Sequence, residues 1–218
     1  QRQMCIRDRS YTASRKDIVG TYAVDTIAML FAYPNALLPF VAMHFNAEWS
    51  LGLLYASPAI GSFIASATSG WTKHAHQHGR MVVYAAIAWG EAILAIGFAP
   101  NIAVVIFLLA IAGAADMVSA LFRSLIWNLT IPDTLRGRMA GIEMLSYSIG
   151  PQIAGVRASF IARWTSLRAS FIIGGGITIG LISLVPQGFI ALWQFDDRTN
   201  EDAIREREAR SSSVETLD

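Results

Sequence analysis

A chain of 218 residues that is 54% hydrophobic and only 15% charged departs from soluble domains, which carry about 25% charge. A formal net charge of +1 says nothing useful about nucleic acid, and no basic stripe interleaved with aromatics appears, so no nucleic-acid partner is implied. A single cysteine, Cys5, excludes an internal disulfide framework. Mean hydropathy is +0.43, and the charges gather at the start, in short turns and in the tail. A bilayer imposes this segregation, since about 20 apolar residues cross its roughly 30 Å core.

In chain order, residues 1–17 form a polar N-terminal segment. They have neither the apolar core nor the cleavage site of a signal peptide. The run Met4-Cys-Ile-Arg-Asp-Arg9 resembles translated sequencing-adaptor sequence, so residues 1–9 are expected to be non-native and the chain to be cut from a longer one. The first apolar run, 18–45, carries Asp25 and the cluster Tyr33-Pro-Asn-Ala-Leu-Leu-Pro39. Its two prolines mark a bend whose freed backbone groups neighbours must satisfy.

The second run, 51–71, is rich in small residues. Ser62 with Ser66, and Ser66 with Gly70, fit the small-xxx-small spacing that lets membrane helices approach closely. A short basic loop, 72–80, follows. The third run, 81–99, holds Glu91, and Pro100-Asn101 makes a tight turn into the fourth, 102–127, with Asp116 and Arg123. A polar turn, 131–138, leads to the fifth run, 139–164, with Glu143, an expected break at Gly150-Pro151, and Arg157. The sixth run is 169–193. Residues 194–218 are charged and apolar-poor, expected to be a solvated cytoplasmic tail with a short helix around 201–210.

The fold class is thus all-α integral membrane, with a six-helix bundle over residues 18–193. Arg15, Lys16, Lys73, Arg80, Arg136, Arg138 and the tail arginines lie on one side, and only Arg163 and Arg168 on the other. The positive-inside rule puts both termini in the cytoplasm. Helices one to three and four to six read as two units of opposite topology, a transporter signature.

The turn Pro132-Asp-Thr-Leu-Arg-Gly-Arg-Met-Ala-Gly141 and the loop Gly70-Trp-Thr-Lys-His-Ala-His-Gln-His-Gly-Arg80 resemble inner loops of the major facilitator superfamily. The second departs from the family signature, with Thr72 and Lys73 where an Asp is expected. The stretches Leu53-Leu-Tyr-Ala-Ser-Pro-Ala-Ile-Gly61 and Ala67-Thr-Ser-Gly-Trp71 are similar to the subfamily containing the enterobactin exporter and related bacterial efflux proteins. The resemblance spans 18–198. It implies the C-terminal six-helix half of a twelve-helix transporter of the bacterial inner membrane, whose other half precedes this chain. It also implies alternating access, with runs one, two, four and five near a central cavity and runs three and six peripheral. It marks Gly70, Gly79 and Arg80 in one inner loop, and Pro132, Asp133, Arg136, Gly137 and Arg138 in the other.

Ionisable residues inside a membrane are functional candidates by default. Asp116 lies roughly 16 Å from the inner end of its helix, near the midplane. There it is either a proton-coupling or substrate-binding carboxylate or a structural ion-pair partner. Arg123, seven residues on, shares its face. Glu143 lies at matching depth on the next helix, so an Arg123–Glu143 salt bridge is expected, acting as an inner gate or as a permanent staple. Asp25, also near the inner end, either joins that cluster or serves as a cavity carboxylate. Arg157 is placed to bind an anionic substrate group or to snorkel outward. Glu91 is expected to be structural. Tyr33 and Asn35 at the proline bend, and Tyr147, Ser148 and Gln152 near Gly150-Pro151, are candidate cavity lining.

His74, His76 and His78 alternate, but no carboxylate or cysteine joins them, and no metal site is assigned. No phosphate-binding loop and no convergent catalytic set is present. No cofactor is implied, and an enzyme is not expected. The expected function is proton-coupled efflux of a siderophore or drug-like small molecule. The alternative is a non-transporting membrane scaffold, or a half-length protein acting only as a dimer.

Overall fold

The computed structural model describes residues 15–131, 133–205 and 207–208. Within 133–149 it describes the helical backbone and the surroundings of Gly137. The described chain is helical throughout, with no strand. The helices are α1 (Lys16–Ala32), α2 (Leu38–His44), α3 (Leu51–Ala67), α4 (His78–Ile96), α5 (Ile102–Thr130), α6 (Asp133–Trp164), α7 (Leu167–Gly188) and the short α8 (Ile190–Trp193).

Five stretches, Lys16–His44, Glu48–Ala67, His78–Ile96, Ile102–Thr130 and Leu167–Gly188, are long and apolar enough to cross a membrane. The 32-residue α6 runs between the last two. This is an all-α membrane architecture, in which helices satisfy backbone polar groups within their own segments except where a span breaks.

The first run breaks where its prolines require. Tyr33 leaves helical geometry, a 3-10 turn covers Asn35–Leu37, and α2 restarts with Pro39 in its first turn, where a missing N–H costs nothing. Pro34 cannot donate to the Leu30 carbonyl one turn back. Arg157 of α6 takes that carbonyl instead, its Nε–H donating to Leu30 O at 3.2 Å and its Nη2 to Phe31 O. The expected break at Gly150-Pro151 does not appear: α6 continues through Pro151.

Close helix approach in the second span falls at the Ser62 end of the expected stripe and not at Ser66 or Gly70. Ser66 and Gly70 are exposed, and Gly70 faces open space. The α3–α5 crossing is made one turn earlier. A Cβ on Gly61 would lie 1.8 Å from Ala110 O, and one on Gly113 would lie 2.0 Å from Pro58 O. The Ser62 hydroxyl donates to Gly113 O at 2.8 Å. Backbones this close gain dispersion contacts that no larger side chain allows. Asn101 and Ser166 cap α5 and α7, accepting from Val104 N at 3.0 Å and Ala169 N at 3.1 Å.

Helix α4 packs against α5, α7 and α1, and α6 packs against α1 and α7. Helix α3 rests mainly on α5, and leaves Leu53, Ile60, Phe63 and Ile64 exposed.

The tail differs from a simple solvated extension. Phe195 and Ala203 are each 1% exposed. The Leu192 carbonyl sits over Gly79, where a Cβ would meet it at 1.6 Å. Residues 201–205 form part of a short helix, tied to α1 by an Arg15–Asp202 ion pair of 3.2 Å. The apolar residues Phe195 and Ala203, spaced among charges, supply the burial that composition averages hide.

Candidate functional site

Two features face each other along the bundle: a charged zip near the basic end, and a cleft toward the opposite end. The zip joins α1 to α5. Asp25 and Arg123 form an ion pair and are 5% and 7% exposed. One turn nearer the basic end, Trp127 Nε1–H donates to Thr21 Oγ1 at 3.1 Å, and the Tyr22 and Trp127 rings lie 4.8 Å apart. Ile18 and Ile131 close that end. The described contacts between α1 and α5 thus form a ladder, with the ion pair as its deepest rung. In a low-dielectric interior such a pair is strongly attractive only while both partners stay in place.

Asp116 lies two turns from Arg123 on the same face of α5, roughly 10 Å along the axis. It is partly buried and within electrostatic reach of Arg123, Asp25 and Tyr33. Among the described residues it makes no hydrogen bond or ion pair. The expected partner of Arg123, Glu143, has its side chain outside the described residues; the ion pair described for Arg123 is with Asp25. Asp25 therefore joins the inner charge cluster, one of the two roles open to it.

The cleft, about 850 Å³, is lined by the turn after α1 and by the second half of α6: Tyr33, Asn35, Gln152, Ser159, Phe160 and Arg163 among others. Asn35 Nδ2 donates to Tyr33 Oη at 2.8 Å, and Tyr55 of α3 donates to Asn35 O at 3.3 Å. The proline break thus presents a polar-aromatic patch, and Tyr33 and Asn35 line the cleft. A second cleft of about 440 Å³, with Phe40, Ala162 and Leu167, shares Ser159 and Arg163 with the first.

Arg157 points away from the larger cleft. Besides holding Leu30 O and Phe31 O, its guanidinium stacks over the Phe31 ring at 5.7 Å. It braces the bend that shapes the cleft. Glu91 is exposed on α4, away from both clefts. Tyr147 and Ser148 have their side chains outside the described residues.

At the basic end, Gly79 packs under Leu192. Arg80 lies 5.3 Å over the Trp193 ring and donates to Gln77 Oε1 at 3.0 Å. Gly70 and Gly137 face open space. Pro132 and the side chains of Asp133, Arg136 and Arg138 lie outside the described residues.

The loop histidines take separate partners. His76 Nδ1 lies 3.0 Å from Asp197 Oδ1, and Arg198 reaches its Nε2. His78 bonds Ala75 O at 2.8 Å and packs between Phe122 and Phe195. Among the described residues, no group of three or more His, Cys, Asp or Glu is placed to hold a metal.

Sequence reasoning passed over Arg163 and Ser159, reading Arg163 only as a loop charge. The signal was present: Gln152, Ser159 and Arg163 follow at i, i+7 and i+11, one helical stripe. The Thr21–Trp127 rung left no comparable signal.

Against known proteins, the family model described as Major Facilitator Superfamily matches residues 23–217. No curated protein and no solved structure matches the chain significantly.

Proposed function

Because the chain belongs to the Major Facilitator Superfamily, a transporter and not an enzyme family, we propose that it forms the C-terminal half of a proton-coupled exporter of the bacterial inner membrane, with both termini cytoplasmic. The domain plan is a polar segment over 1–17, a six-helix bundle over 18–193 and a cytoplasmic tail over 194–218. Its cargo is a siderophore or drug-like small molecule, in keeping with the resemblance to the enterobactin-exporter subfamily. A preceding six-helix half closes the other wall of the cavity.

The observation that carries this reading is Asp116: an acid near mid-membrane, without a described partner, two turns from a buried ion pair on its own helix. An ionised carboxylate at such depth costs about 2.5–3.5 kcal/mol or more. A proton removes that cost. While Arg123 holds Asp25, Asp116 is the group that gains from protonation. An arginine side chain is long enough to swing between acids two turns apart. Transfer of Arg123 from Asp25 to Asp116 would expel the proton from Asp116 into the opening inner mouth, where water also reaches Asp25, and release the deepest rung between α1 and α5. The inner mouth then opens as the outer cleft closes, which is how one charge movement drives alternating access. Arg123, with Asp25 and Glu143 as its acids, is the inner gate in this scheme.

The test is efflux of siderophores and drug-like compounds from cells carrying the full-length protein, across external pH. Asp116→Asn is expected to abolish the pH dependence. Unchanged efflux with unchanged pH dependence removes Asp116 from the mechanism.

The exposed apolar face of α3 favours one second reading, a half-length protein that acts only as a dimer. The mass of the complex in mild detergent separates the two: one chain with its own N-terminal half, or two copies of this one.

A further inference from the structure

The two clefts share one wall, and the chemistry of that wall selects a ligand. Ser159 and Arg163 line both. On one side lies the polar-aromatic lobe with Tyr33, Asn35 and Gln152. On the other lies a smaller lobe whose remaining described lining is Phe40, Ala162 and Leu167. Each lobe by itself falls in the size range of drug-sized ligand sites, about 300–1,000 Å³.

Arg163 is the charged residue of this lining, and no Asp or Glu lines either lobe among the described residues. Its guanidinium has no ion pair or hydrogen bond among them. It is therefore a cation with open donors, set between a polar and an apolar compartment. Guanidinium is charged at every working pH, and its planar fork matches carboxylate, sulfonate and phosphate oxygens. Arg163 is exposed, as are Phe40 and Phe160 beside it, so its donors stand on the open side of the cleft where a ligand reaches them.

From this arrangement we infer that the bilobed cleft binds an amphipathic organic anion, its acidic group on Arg163 and its apolar body in the lobe of Phe40, Ala162 and Leu167. The inference rests on the transporter reading, since it assigns the substrate class of the same cavity. It also separates two duties: Arg163 holds the substrate's negative charge, and Asp116 handles the proton. Ser159 supplies a hydroxyl one turn from Arg163 on the same stripe, within the reach of one oxyanion.

The probes are 8-anilinonaphthalene-1-sulfonate and N-phenyl-1-naphthylamine, which share an apolar body and differ in the sulfonate. The purified full chain is placed in phosphatidylcholine nanodiscs, and the fluorescence of empty discs is subtracted. The sulfonate probe is expected to bind about tenfold or more tightly than the neutral one, as a charge-assisted contact implies. Arg163→Gln is expected to remove that preference while leaving the neutral probe within about twofold, which also reports an intact cleft. Arg163→Lys should keep part of the preference, and Arg168→Gln all of it.

Equal affinity for both probes, or a sulfonate preference that survives Arg163→Gln, overturns the inference. Flux measured on the full-length protein is a separate readout. A preference that depends on Arg163 without any transport leaves the anion site standing and removes the transporter reading. Transport without the preference does the reverse.

Discussion

Removing one partner from the Asp25–Arg123 pair is the perturbation with the largest expected effect on the bundle. The pair is buried on both sides, and it is the deepest described contact between α1 and α5. Asp25→Asn keeps the size of the side chain and removes its charge, leaving Arg123 buried without that carboxylate. Breaking a buried pair by removing one partner typically costs about 3–5 kcal/mol. Arg123→Met removes the cation and its donors, and leaves Asp25 with the same problem.

The assay is a double-mutant cycle on unfolding free energy in mixed micelles, with Asp25→Asn, Arg123→Met and the pair. If the two groups act on each other, the double variant is less damaged than the sum of the singles, by about 0.5–3 kcal/mol. A charge-reversed pair, Asp25→Arg with Arg123→Asp, should recover part of the loss of either reversal alone. Additive single effects, or single losses below about 0.5 kcal/mol, would refute the claim that this pair holds the two helices together.

The α3–α5 crossing gives a steric prediction. Gly113→Leu should destabilise the protein by about 1–3 kcal/mol or more through overpacking against Pro58, while Gly70→Leu, in open space, should be near neutral in the same unfolding assay. Arg157→Met should cost about 1–3 kcal/mol by leaving the Leu30 and Phe31 carbonyls unmade, and should weaken probe binding in the cleft through the bend, with Arg157→Lys recovering part of both. Asp197→Ala removes the partner that His76 and Arg207 share, so amide exchange over residues 195–205 should rise several-fold while exchange in the middle of α5 stays unchanged.

Much of the architecture was legible because a bilayer enforces it. Long apolar runs between polar turns gave the spans, and Pro34 with its fixed φ and missing N–H gave the break after α1. Pro151 illustrates the limit of that rule. The same residue type sits inside a continuous α6, because tertiary packing decides whether a proline ends a helix or is carried by it. Tyr33 and Asn35 were legible as cleft lining, since a broken helix exposes polar groups where space exists.

The partner of Arg123 was harder. Depth along two helices puts two acids, Asp25 and Glu143, at its level; the pair with Asp25 is described, and it depends on the rotation of each helix about its axis, which sequence spacing does not encode. Arg157 was read as a group for substrate anions or for snorkelling, yet its donors go to carbonyls that only the α1 break creates. Arg163 was hidden by the opposite habit, that of treating arginines at helix ends as orientation markers. The docking of the tail was hidden because two apolar residues, Phe195 and Ala203, decide its position among many charged ones.

The account's central claim is that Asp116 carries the coupling proton, and a comparison of two fluxes by the full-length protein in liposomes tests it most directly. One is substrate exchange at equal pH on both sides; the other is accumulation driven by an imposed proton gradient. Asp116→Asn, fixed in a neutral state, is expected to keep exchange within about tenfold of the parent, a change of no more than about 1.4 kcal/mol in barrier, and to lose gradient-driven accumulation. Gradient-driven accumulation that survives Asp116→Asn would contradict the claim.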